Sequence, residues 1–208
     1  MPQPVLVQPS DKAKQAYGQT AASGMDLDRA FDYIKSYEGF KPEPYKDTKG
    51  KWTIGIGTLI GTGTDEDLAK SGYKGKSIDL NTAAQIARED IAKKAAKMSN
   101  PDYLGRIVQQ FSPELQTGLV SGFYRGDVSG SPKTLKLLNS GDLIGAAKEF
   151  LDSDEYRKAK QEGSGVAGRM QDLANLIASE GDRNPQFYQT FSSRVESQLK
   201  NPAQQKLP

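Results

Sequence analysis

The sequence predicts a mainly α protein of the α+β class, with one small antiparallel sheet early in the chain and helices before and after it. Three observations carry this. Apolar residues recur at helical spacing in several separate segments from Leu27 onward. One stretch, Trp52-Thr53-Ile54-Gly55-Ile56, alternates and is β-rich, and it follows the turn-forming Lys46-Asp47-Thr48-Lys49-Gly50. The chain has 208 residues and no internal repeat, enough for one domain with room for two lobes.

Taken in order, residues 1–24 hold Pro2, Pro4 and Pro9, several glutamines and a Gly/Ser/Ala-rich end, and read as a flexible extension in which only Val5-Leu6-Val7 offers a docking point. A helix follows through Leu27, Ala30, Phe31, Ile34 and Tyr37, with Asp26 or Asp28 at its start and Gly39, Pro42 and Pro44 ending it. Glu38 then falls in its last turn. The hairpin or three-stranded sheet comes next, and residues 61–77 read as a loop with one short helix around Asp65 to Ser71. Asn81 is placed to cap a long helix through Ala83, Ile86, Ala87, Ile91, Ala95 and Met98, ended by Asn100-Pro101. Ser112-Pro113-Glu114 opens a helix through Leu115, Leu119 and Val120, and a loop spans Gly126 to Pro132. Leu135, Leu137 and Leu138 mark a short helix, Asp142 caps Leu143 to Leu151, and Val166 to Ile177 supports another. A final amphipathic segment, Phe187 to Leu199, precedes a Pro/Gln/Lys tail.

Composition removes whole classes of chemistry. There is no cysteine, so thiol nucleophiles, thiolate metal sites and disulfides are excluded. There is no histidine, so Ser-His-Asp and Cys-His catalysis and imidazole metal sites are excluded as well. Acid–base work near neutral pH is left to carboxylates, lysine and tyrosine. A formal charge of +2 is too mild for a nucleic-acid footprint, and no segment has the apolar run of a signal or a membrane span. No metal or organic cofactor is called for.

Glu38 and Asp47 form the candidate pair. Glycosidic cleavage needs a protonated acid for the leaving oxygen and a second carboxylate to activate water or attack the anomeric carbon. A glutamate closing an apolar helix face is expected to be desolvated, which favours the protonated form; an aspartate in a polar turn is expected to stay ionised. Thr53, on the following strand, is placed to orient the water.

The residues around this pair carry a resemblance. Tyr37-Glu38-Gly39-Phe40, then Tyr45-Lys46-Asp47-Thr48-Lys49-Gly50-Lys51-Trp52-Thr53-Ile54-Gly55-Ile56-Gly57, resembles the active-site stretch of the phage-type lysozymes, the muramidase family of T-even phage lysozyme and related endolysins. Glu38, Asp47 and Thr53 match the family's catalytic glutamate, aspartate and threonine without gaps. More loosely, Gly118 to Phe123, Thr134 to Asp142, Ala146 to Phe150 and Gly165 to Arg169 resemble its later segments. Thr58 stands where the family commonly has histidine, Phe123 is followed by Tyr124 and Arg125, and Arg169 alone remains of a paired arginine.

The resemblance implies a two-lobed lysozyme fold over 25–185, with lobes at about 25–80 and 81–185 bridged by the long helix, and with 186–208 as a C-terminal helix and tail. It implies an N-acetylmuramidase acting on peptidoglycan glycan strands, with Glu38 as acid and Asp47, through Thr53, activating water. Gly57, Leu59, Tyr124, Arg125 and Thr134 are the implied substrate contacts. Two rivals stay open: a lytic transglycosylase, and a virion structural or wall-binding protein that has lost activity. The terminal extensions suit attachment to virion or tail proteins. Neither nucleic acid nor membrane insertion is expected. The setting is either the host cytoplasm, followed by the periplasm after holin release, or the virion.

Overall fold

The computed structural model describes residues 25–183 and 185; the expected extension over 1–24 and the Phe187 to Leu199 segment and tail lie outside the described residues. The chain divides into two compact units, Met1–Ala96 and Lys97–Pro208. The division falls near the end of the long helix and not at its start near residue 80, where the sequence suggested a lobe boundary.

In the first unit, helix α1 (Leu27–Glu38) begins where the Asp26 side chain accepts the Arg29 N–H at 2.9 Å. Leu27, Ala30, Phe31 and Ile34 fall on one face and are buried. Glycine at position 39 ends the helix. Strands β1 (Lys41–Lys46), β2 (Trp52–Gly55) and β3 (Thr58–Gly61) then form an antiparallel sheet in that order, with β2 in the centre. β1 holds Pro42 and Pro44, and the Pro42 carbonyl accepts the Ile78 N–H at 2.9 Å.

Helix α2 (Asp65–Lys70) is capped by Thr64, whose carbonyl also takes the Trp52 indole N–H at 2.9 Å. This makes Trp52 a packing residue of the sheet. Helix α3 (Leu80–Met98) presents Ala83, Ala87, Ile91, Ala95 and Met98 as a fully buried stripe. Its cap is Asp79, which accepts the Thr82 N–H at 2.7 Å, and not Asn81 as the sequence suggested; the helix starts two residues earlier, which places Asn81 inside the first turn. Arg88 of α3 stacks on the Phe31 ring of α1, 3.6 Å from its centroid, and reaches Asp28 at 3.4 Å.

In the second unit a 3₁₀ helix (Gly105–Gln110) leads to α4 (Pro113–Arg125), which buries every residue from Leu115 to Tyr124 and forms the unit's core. Around it stand α5 (Pro132–Ser140), α6 (Leu143–Leu151), α7 (Asp154–Gln161) and α8 (Gly165–Arg183). Gly118 and Gly122 let α8 approach closely, since a Cβ on either would stand 3.0 Å or less from a Leu173 or Leu176 methyl. The α4 cap is doubled: Ser112 Oγ accepts the Leu115 N–H, while the Ser112 N–H and Oγ–H donate to Glu180 of α8 at 2.7 and 2.5 Å.

Helix α7 has no counterpart in the sequence reading. Its residues, Asp-Glu-Tyr-Arg-Lys-Ala-Lys-Gln, bury only Ala159, so no apolar stripe announces it. Ser153 capping the Tyr156 N–H, acids in the first turn and lysines in the last hold it instead.

Candidate active site

Glu38 is the last residue of α1, and its side chain lies over the turn between β2 and β3. That turn ends in Gly57, at a φ of 72°, where a side chain is strained. A Cβ on Gly57 would stand 2.8 Å from Glu38 Oε2, 2.9 Å from its Cδ and 3.0 Å from its Cγ. The glycine is therefore the seat of the glutamate. Gly55, at a φ of 67°, does a different job: a Cβ there would stand 2.9 Å from the Ala83 Cβ, so the end of β2 rests on the first turn of α3. Glu38 itself is half-buried, less enclosed than its place beside the apolar stripe suggested.

Asp47 is built into the β1–β2 turn. Its Oδ1 accepts the Lys49 and Lys51 N–H groups, both at 2.8 Å, and its own N–H donates to the Lys51 carbonyl at 2.9 Å. Thr53 Oγ1 donates to that same carbonyl at 3.3 Å. The Lys51 peptide thus links the aspartate to the threonine. Thr53 is 3% exposed, and once its single proton is given to Lys51 its oxygen presents lone pairs only.

The sheet register extends this arrangement. Tyr45 pairs with Thr53 and Thr53 pairs with Leu59, so the three side chains share one face across the three strands. Leu59 is 48% exposed beside the nearly enclosed threonine. Lys41 lays its ammonium over the Tyr45 ring, 4.0 Å from the centroid. Burial, and after it the carboxylates of Glu38 and Asp47, pushes the Tyr45 phenol up from its ordinary range. Both acids therefore act on one phenol. Tyr45 was absent from the sequence-level site; its position two residues before Asp47 was the available signal.

Residues 35–172 match the model of the phage lysozyme family, well over half of the chain. The chain belongs to the phage lysozyme family. It is 28% identical over 138 residues to a probable T4-type lysozyme 2 of Dictyostelium discoideum, a match spanning 59% of this chain and 81% of that protein. The mainly helical architecture with one small antiparallel sheet is that of an α+β lysozyme fold. Glu38, Asp47, Thr53 and Gly57 all lie inside the stretch that matches the phage lysozyme family.

In this phage lysozyme family member the second-unit residues expected at substrate are ion-paired or buried. Arg125 donates from Nε to Asp127 at 2.8 Å and from Nη2 to Glu155 at 3.3 Å, so its guanidinium ties the end of α4 to α7. Thr134 is fully buried on α5, its hydroxyl without a hydrogen-bond partner among the described residues. Tyr124 is 8% exposed within the core helix. Thr58, in the position where the family commonly has histidine, is buried and opposite Ile54 in the ladder. Among the described residues no cluster of three or more acidic side chains is placed to hold a metal ion, and no helix is long and apolar enough to cross a membrane.

Proposed function

We propose that this chain is an N-acetylmuramidase that hydrolyses the β-1,4 bond between N-acetylmuramic acid and N-acetylglucosamine in peptidoglycan. The observation that carries the reading is the linkage of Asp47 and Thr53 through the Lys51 peptide, in the same hairpin that seats Glu38 on Gly57.

The chemistry follows from what each group has left to offer. Thr53, its proton committed to Lys51, accepts one hydrogen of a water molecule. Asp47, its Oδ1 fixed by two N–H bonds, accepts the other and takes that proton as the water attacks the anomeric carbon. Glu38 protonates the departing glycosidic oxygen. Because water and not the aspartate attacks, the product is inverted.

Glu38→Gln keeps the size of the side chain and removes the acid. It is expected to lower turnover of purified peptidoglycan by on the order of 10²–10⁴-fold with an unchanged melting temperature. Substantial residual lysis would sink the assignment. Mass spectrometry of the wild-type products should show reducing muramyl ends, and anhydro-muramyl ends would point to a transglycosylase instead. The segments outside 25–185 suit attachment to virion or tail proteins. Purified particles containing the protein would favour wall penetration at entry, and particles lacking it would favour host lysis after holin release.

A further inference from the structure

We propose that Tyr45 is a positioning residue of this site, its phenol O–H acting as a neutral donor to the ionised Asp47 carboxylate while Lys41 holds its ring in place. The inference rests on the muramidase reading and adds a fourth side chain to it.

Five observations support this. Tyr45 is the direct cross-strand partner of Thr53, so its ring lies on the face of the sheet that carries the threonine. It stands two residues before Asp47, at the point where β1 enters the turn. The Lys41 ammonium sits 4.0 Å from its ring centroid, a cation–π contact that fixes the ring and keeps the cation from bridging to either acid. Burial first, and after it Glu38 from α1 and Asp47 from the turn, opposes its ionisation, so the phenol keeps its O–H. The half-buried phenol makes no hydrogen bond to another described residue, which leaves its proton available to the site.

Turned onto Asp47 when substrate is bound, such a donor engages the oxygen that the turn leaves unbound and fixes the direction of the carboxylate. It would act through Asp47 and not on the sugar, so it should govern turnover more than binding.

The decisive variant is Tyr45→Phe, which keeps the ring and the Lys41 contact and removes the O–H. We expect kcat to fall about tenfold, KM to stay within about twofold and the melting temperature to stay within about 2 °C. Lys41→Met, which frees the ring but keeps the phenol, should lower kcat by about threefold with KM in place. Wild-type turnover in Tyr45→Phe would overturn the inference, as would a loss that appears only in KM or tracks a fall in melting temperature. Glu38→Gln in the same assay separates the two failures. Lysis surviving in Glu38→Gln overturns the muramidase reading and the role of Tyr45 with it; lysis lost in Glu38→Gln but intact in Tyr45→Phe overturns the inference alone.

Discussion

A methyl group at position 57 would collide with the side chain on which the proposed chemistry depends. Gly57→Ala forces a residue with a Cβ into the left-handed region, a strain of roughly 1–2 kcal/mol. It also places the new carbon 2.8–3.0 Å from the Glu38 carboxyl and its Cγ. The expected outcome is a melting temperature lower by roughly 2–8 °C together with a loss of turnover on the order of 10²-fold, since a shift of about 1 Å at a reacting group has that effect. Calorimetry and a peptidoglycan turbidity assay on the same preparation would check it. The spacing of Glu38, Asp47 and Thr53 could be read from sequence because their arrangement is local: one helix end, one turn and one strand. The fates of Arg125 and Thr134 could not. Asp127 and Glu155 claim the first and the core of the second unit encloses the other, and neither condition is written in the residues beside them.

At the scale of elements, apolar periodicity decided what the sequence could announce. α1, α4 and α6 each carry a stripe and a capping side chain, Asp26, Ser112 and Asp142, and all three were legible, with the start of α1 narrowed to Asp26 or Asp28. α7 escaped because its stability comes from a cap and from charges aligned with the helix dipole. The joint between α4 and α8 escaped as well, since Ser112 and Glu180 stand far apart in the chain. Glu180 is 3% exposed, and its two oxygens take both donors of Ser112. Glu180→Ala leaves those donors without that acceptor in the interior and should lower stability by about 2–4 kcal/mol. Chemical denaturation would measure this, with Glu180→Gln expected to fall between the mutant and wild type.

For the whole molecule, the position of the chemistry within the chain matters most. The proposed acid, base and water-orienting hydroxyl, with the Gly57 seat, all come from residues 38–57 of the first unit. All three roles are filled by carboxylates and a hydroxyl, and the chain contains neither cysteine nor histidine. Turnover should therefore be indifferent to reducing agents, thiol-alkylating reagents and chelators. A loss greater than about twofold on dialysis against a chelator, restored by a divalent cation, would contradict the carboxylate mechanism.

The sheet that supports these groups is only three strands wide, and three-stranded sheets expose edges on which another chain can build. Here the β1 margin is poorly suited to recruitment. β1 is an outer strand in which Pro42 and Pro44 supply no N–H, and one of its carbonyls is already occupied by Ile78. On the other side, α2 packs against β3: Asp67 stands so near Gly61 that a Cβ there would lie 2.9 Å from its own. The two prolines of β1 thus deny neighbouring copies a template for strand addition along that strand, which disfavours assembly into cross-molecular sheets through it.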